Sequence, residues 1–185
     1  DVLRSFGMTA DDFVIRLSSR NTWQDFFSAH CNDDSKAYDF YQAVDKIERT
    51  PPEESDKKFQ TVGSTLEQVR NFINSGEPTE ELQAVLDNLA ARGLGDYVKI
   101  DYNVIRGLAY YTGVVYEAFD RHGKFRAIAG GGRYDQLVSL VSDGKNDLPA
   151  AGFAMADVVL AELLKDRKLL PEFNQSIDAF VLIED

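Results

Sequence analysis

Close to residue 95 the hydrophobic period of this chain switches from helical to alternating, and that switch restricts the fold to a mixed architecture. Between residues 35 and 94 apolar side chains recur at helical spacing, so that they share one face. From Tyr97 onward they alternate, as in strands with one buried face. A helical block must therefore be inserted into, or sit beside, a sheet.

The individual elements follow from the same patterns. Residues 1–6 read as the end of a helix closed by Gly7. FVIRLSS (13–19) reads as a strand, and Asn21 as the cap of a helix bearing Trp23, Phe26 and Phe27. Within the helical block, Tyr38, Tyr41, Val44 and Ile47 lie one turn apart, and Pro51-Pro52 forces a new element. Ser64 with Glu67 predicts a capping box for a helix with the stripe Leu66, Val69, Phe72 and Ile73, ended by Gly76. Thr79 caps the next helix, whose stripe is Leu82, Val85, Leu86 and Leu89, ended by Gly93.

After the switch, YVKIDYNVI, YYTGVVYEAFD and FRAIAGG read as consecutive antiparallel strands, the last two joined by a hairpin turn at residues 121–124. GGGRYDQLVSLV leaves a strand and enters a helix, and LPAAGFAMA is a short strand. DVVLAELLKDRKLL is a helix with Leu160, Leu163 and Leu164 on one face, closed by Pro171. The fold class is α+β. SIDAFVLIED reads as a strand with no sequence neighbour to pair with, so the chain is expected to be a piece of something longer.

Composition narrows the function. The net charge of −11 gives no support for nonspecific polyanion binding over the whole surface. The single cysteine, Cys31, forms no internal disulfide, and a cytoplasmic location is the default expectation. No apolar run reaches the roughly 18 residues of a membrane span. His30, His122 and Cys31 lack metal-site spacing, so no metal held by the protein is expected.

Two stretches carry chemistry. In RAIAGGGRYDQLV (126–138) the glycines form either a bulge or tight strand exit, or a backbone bare enough for a ligand to lie on the sheet beside Arg133, Tyr134 and Asp135. The stretch matches neither a P-loop nor a GxGxxG fingerprint. In IRGLAYYTGVVYEAF, Arg106 ends one strand and Tyr110-Tyr111 precede the next. A guanidinium offers a fork to phosphate or carboxylate. Paired tyrosines offer a wall and hydroxyls, although on a strand they would point to opposite sides.

Taken together, RGLAYYTG and AGGGRYDQLV resemble the two histidine signatures of the histidyl-tRNA synthetase family, and LPAAGFAMADVVLAELL sits where the third motif of class II synthetases falls. The resemblance implies part of the class II antiparallel sheet with flanking helices and a small helical insertion. It divides the chain into core segment 1–34, insertion 35–94, core segment 95–172 and a linker with the first strand of an anticodon-binding domain at 173–185. It implies ATP-dependent activation of L-histidine to histidyl-adenylate, with Mg2+, and transfer to tRNA(His) by a homodimer. Carried across, Arg106 is the catalytic and ATP-binding arginine. Tyr110, Tyr111, Tyr134, Gly131 and Gly132 form the histidine pocket, with Gly130 beside them, and Gly152 lies at the ATP site.

Two departures stand out. Ala109 replaces an aspartate, and Val159 occupies the place of the third motif's arginine on the γ-phosphate. Losing such a charge-assisted contact costs about 1.5–3 kcal/mol. Motifs one and two are not recognisable, so the segment alone is expected to be inactive. Two alternatives remain. One is the synthetase-like regulatory subunit of ATP phosphoribosyltransferase, which the loss at Val159 suits. The other is an α+β binding module without a retained ligand. The final strand-like stretch favours the ligase.

Overall fold

A computed structural model describes residues 1–105, 110–172 and 181. Helix α1 (Val2–Ser5) leads to β1 (Phe13–Ser19) and α2 (Arg20–His30). The helical block comprises α3 (Ala37–Asp45), α4 (Pro52–Gln60), α5 (Leu66–Ser75) and α6 (Glu80–Ala91). Then come β2 (Val98–Ile100), β3 (Val114–Asp120), β4 (Ala129–Arg133), α7 (Leu137–Val141), β5 (Ala151–Met155) and α8 (Asp157–Asp166). The strands form one sheet in the order β2-β1-β3-β4-β5.

β3 pairs antiparallel with β1 and with β4, and β4 pairs antiparallel with β5. β2 differs from the sequence expectation. It runs parallel to β1, with Ile15 opposite Val98 and Leu17 opposite Ile100, and it is not the first of three consecutive antiparallel strands. The helical block is the cause. It acts as a long crossover between β1 and β2, and a long crossover permits parallel pairing. Register sorts the side chains by face. Phe13, Ile15 and Leu17 share one face with Tyr116 and Ala118, while Val14, Arg16 and Ser18 share the other with Val115, Glu117 and Phe119.

Trp23 centres the larger core. It is fully buried, and its ring centroid lies 5.7 Å from Phe26, 5.8 Å from Phe40 and 4.7 Å from Phe72. Its indole N–H donates to the Tyr102 carbonyl at 3.2 Å, which satisfies the ring's one polar atom. Leu17 from β1, Phe59 from α4, Val69 from α5 and Leu82 from α6 join the same cluster, so the helical block and the sheet share a core. Truncating such an aromatic to alanine typically costs about 3–5 kcal/mol. A second cluster joins Leu163 and Leu164 of α8 to Phe13, Ala118 and Ile128, with Leu160 half-buried against it, as the α8 stripe predicts.

Four local expectations shift. Tyr38 is 61% exposed, and Phe40 takes its place in the core because α3 turns a face through residues 40, 41 and 44 inward, with Ile47 following just beyond its end. The capping box sits one residue later than Ser64-Glu67. Gln68 N–H donates to Thr65 Oγ1 at 3.2 Å, and Thr65 N–H donates to Gln68 Oε1 at 2.9 Å. This register buries Leu66 and Val69. α2 starts at Arg20 with Ser19 as its N-cap, ahead of Asn21, and Ser19 gives its hydroxyl to Glu81. α8 stops at Asp166, well before Pro171, because Lys168 takes a left-handed φ of 57° and the Leu169 N–H returns to the Leu164 carbonyl at 2.8 Å. The expected strand SIDAFVLIED lies outside the described residues apart from Val181.

Candidate functional site

The glycine triplet lies inside β4. Gly130, Gly131 and Gly132 pair regularly with Glu117, Tyr116 and Val115, so the segment is neither a bulge nor a strand exit. What requires glycine is crowding. A Cβ on Gly132 would stand 2.8 Å from Tyr111 Cδ1 and 2.8 Å from the Val114 carbonyl oxygen. On β5, directly across from it, a Cβ on Gly152 would stand 2.4 Å from the Tyr134 hydroxyl. Gly131 serves a different purpose, because its Cβ would run into β5 at 2.2 Å from the Gly152 carbonyl oxygen and 2.7 Å from Phe153 Cβ. Bare backbone at 132 and 152 thus lets two tyrosines settle onto the sheet, and bare backbone at 131 lets β5 close on β4.

Three tyrosines gather over this floor. The centroid of Tyr110 is 4.7 Å from Tyr111 and 5.6 Å from Tyr134, and Tyr111 lies 6.3 Å from Tyr134. Tyr110 and Tyr111 precede β3, so strand alternation does not separate them. Tyr111 packs with Val104 and Val115, while Tyr110 and Tyr134 remain half-buried at the cluster's edge. Backbone bonds fix the arrangement. Thr112 N–H donates to the Arg133 carbonyl at 3.0 Å, Asp135 N–H to Thr112 Oγ1 at 2.9 Å, and Tyr134 N–H to the Ala150 carbonyl at 2.8 Å. Thr112 therefore laces the Tyr-Tyr stretch to the Arg-Tyr-Asp stretch.

The charged neighbours divide between two sides. Arg133 is exposed, lies beside Gly113 and Glu81, and clasps Asp135, with Nε 2.8 and 2.9 Å from the two carboxylate oxygens. The Asp135 carboxylate raises the Arg133 pKa. Arg16 and Glu117 occupy the tyrosine-bearing face of the sheet. Arg16 ion-pairs with Asp101 at 3.3 Å, and its guanidinium lies 4.3 Å from the Phe119 ring centroid. Together with Arg49, Asn103 and Arg126 they border a cavity of about 690 Å³.

Arg106 and Ala109 lie outside the described residues. Val159 packs half-buried against the α8 cluster on the opposite face, whereas its neighbour Val158 is exposed. Among the described residues, no group of three or more His, Cys, Asp or Glu side chains could hold a metal ion, and no helix is long and apolar enough to cross a membrane. Two residues escaped the sequence reading. Thr112 was hidden because its work is done through one hydroxyl. Arg20 was visible only as a cation at the β1–α2 junction.

A family profile described as Histidyl-tRNA synthetase matches residues 41–158. A histidine–tRNA ligase of Opitutus terrae is 42% identical over 98% of this chain and 46% of its own length. The chloroplastic/mitochondrial histidine–tRNA ligase of Arabidopsis thaliana is 35% identical over 98% of this chain and 40% of its own. The chain thus spans less than half the length of these curated relatives. A solved histidyl-tRNA synthetase from a Nostoc species shares the fold, with a TM-score of 0.65 and 24% identity over 89% of this chain and 44% of that one.

Proposed function

Because the chain belongs to the histidyl-tRNA synthetase family, we propose that the full-length protein containing it is a histidine–tRNA ligase. Its substrates are L-histidine, ATP with Mg2+, and tRNA(His), and it works as a cytoplasmic homodimer. The observation that carries this reading is the trio Tyr110, Tyr111 and Tyr134 seated over Gly132 and Gly152. Phenols set at an angle to one another beside a bare floor suit an imidazole, because the rings supply apolar walls and the hydroxyls supply hydrogen bonds.

In this reading Tyr110, Tyr111 and Tyr134 hold the histidine side chain, and Gly131 and Gly132 keep the floor thin. Gly152 borders the nucleotide, and Arg106 stabilises the charge that develops when the histidine carboxylate attacks the α-phosphate and pyrophosphate leaves. The histidyl group then passes to tRNA. Residues 1–34 and 95–172 belong to the catalytic core, 35–94 to an insertion, and 173–185 lead into an anticodon-binding domain. Val159 lies among apolar side chains, so the γ-phosphate of ATP requires a cation from elsewhere in the protein.

Histidine-dependent exchange of pyrophosphate into ATP by the full-length protein tests this reading. Exchange with histidine and with no other amino acid is expected, and Arg106→Ala lowers it by at least about tenfold. Absence of exchange, together with stimulation of a phosphoribosyltransferase, would replace the ligase reading with the regulatory one.

A further inference from the structure

A second cleft adjoins the tyrosine cluster, sharing Tyr111 with it and also Thr112, which laces that cluster together. It encloses about 480 Å³ and is lined by Arg20, Asn21, Gln24, Ala37, Tyr38, Tyr41, Tyr111, Thr112 and Gln136, with no carboxylate among them. That is unusual surroundings in a chain with a net charge of −11. Among the described residues Arg20 is its one cation. The guanidinium lies 3.7 Å from the Tyr41 ring centroid, and Nη1 is buried without a hydrogen-bond partner. Burial lowers the Arg20 pKa, and the facing Tyr41 opposes that shift. Among the described residues no carboxylate pairs with Arg20. A buried guanidinium nitrogen left unmatched is costly, and an anion entering the cleft would relieve that cost.

The polar groups around Arg20 are donors. Gln24 is committed, since its Oε1 accepts from the Tyr41 hydroxyl at 2.5 Å and its Nε2 donates to Ser28 Oγ at 3.2 Å. Thr112 Oγ1 accepts from Asp135 N–H, which leaves its own proton to donate into the cleft. Asn21 and Gln136 are exposed and add amide donors at the rim. Tyr38, 61% exposed on α3, offers a ring face that the core does not use. The cleft is far larger than a single anion. One cation, several neutral donors and an open aromatic face together match a phosphate joined to a flat ring.

We infer that this cleft binds a nucleotide phosphate at Arg20 and Thr112, with the base stacked on Tyr38. The ligand is either a free mononucleotide or the end of a single RNA strand. The cleft borders the histidine pocket through Tyr111 and Thr112, but the proposed contacts are made by Arg20, the Thr112 hydroxyl and Tyr38, none of which is assigned to histidine, so failure of one assignment leaves the other testable.

Calorimetric titration of the full-length protein tests it, using cytidine 5′-monophosphate, inorganic phosphate and 5′-phosphorylated CpC. Cytidine is chosen so that an adenine site elsewhere does not report. All three are expected to bind, with inorganic phosphate displacing the monophosphate. Arg20→Gln weakens all three by at least about tenfold, the loss of one charge-assisted contact. Arg20→Lys recovers part of that loss. Tyr38→Ala, on an exposed side chain, weakens the two nucleotides and leaves inorganic phosphate unchanged. Tighter binding of CpC than of the monophosphate assigns the site to a strand end, and equal binding assigns it to the free nucleotide. The inference is overturned if neither nucleotide binds up to about 10 mM, if Arg20→Gln and Tyr38→Ala leave binding unchanged, or if acetate displaces the monophosphate as readily as phosphate does.

Discussion

At the scale of the residue, the site is governed by two missing methyl groups. Gly132→Ala places a carbon against both the Tyr111 ring and the Val114 carbonyl oxygen. Backbone on one side leaves no easy escape, so we expect a loss of about 1–3 kcal/mol in stability, read by thermal or denaturant unfolding. Gly152→Ala meets only the far end of Tyr134. Its cost should fall when Tyr134→Phe removes the hydroxyl, so a double-mutant cycle in unfolding free energy should show coupling of at least about 0.5 kcal/mol. Additive effects would place the Tyr134 hydroxyl away from Gly152. Much of this was legible in the sequence, since the glycines and tyrosines declare themselves by type and spacing. What was not legible is which glycine serves which partner. Gly131 meets β5 and Gly132 meets Tyr111 because successive strand positions face opposite sides, and only the register tells them apart.

At the scale of the element, local rules succeeded where the competing choices differed in energy and failed where they were nearly equal. Ser64-Glu67 and Thr65-Gln68 are both plausible capping pairs. Burial of Leu66 and Val69 decides for the second, and Asp56 reinforces it by accepting from Leu66 N–H at 2.8 Å. Thr65→Ala should therefore cost about 1 kcal/mol in unfolding free energy, from loss of the cap. Strand β2 shows the other limit. Its alternating pattern is present, but pattern alone does not choose a partner, and the parallel pairing with β1 depends on the path of the helical block between them. The tyrosine pair was likewise misjudged as a strand pair, because it precedes the first ladder residue of β3.

At the scale of the whole molecule, one ion cluster ties the ends of the described fold together. Arg167 bridges Asp12, just before β1, and Asp120, at the end of β3, where Asp120 Oδ1 lies 2.6 Å from Nη2. Asp120 is almost completely buried and, among the described residues, keeps only the His122 and Lys124 backbone N–H donors once Arg167 is gone, so Arg167→Met should cost about 1.5–3 kcal/mol, the loss of its charged partner. Asp12 makes the same junction acid-sensitive. The Thr9 N–H, donating at 2.8 Å, is the main influence holding the Asp12 pKa down, burial opposes it, and the Thr9 hydroxyl and Arg167 add to the lowering. A folded pKa below the unfolded one contributes stability that is complete above roughly pH 4 and is lost as pH falls through the folded value. Asp12→Asn should remove that part of the acid dependence in equilibrium unfolding measured from neutral pH downward.

The same scale holds the test of the central claim, that three tyrosines over a glycine floor form a pocket for the histidine side chain. Calorimetric titration of L-histidine into the full-length protein without ATP measures it directly. The account predicts saturable binding by the wild type and roughly tenfold weaker binding by Tyr111→Phe or Tyr134→Phe in variants that remain folded. No binding by the wild type, or affinity unchanged in both variants, would contradict it.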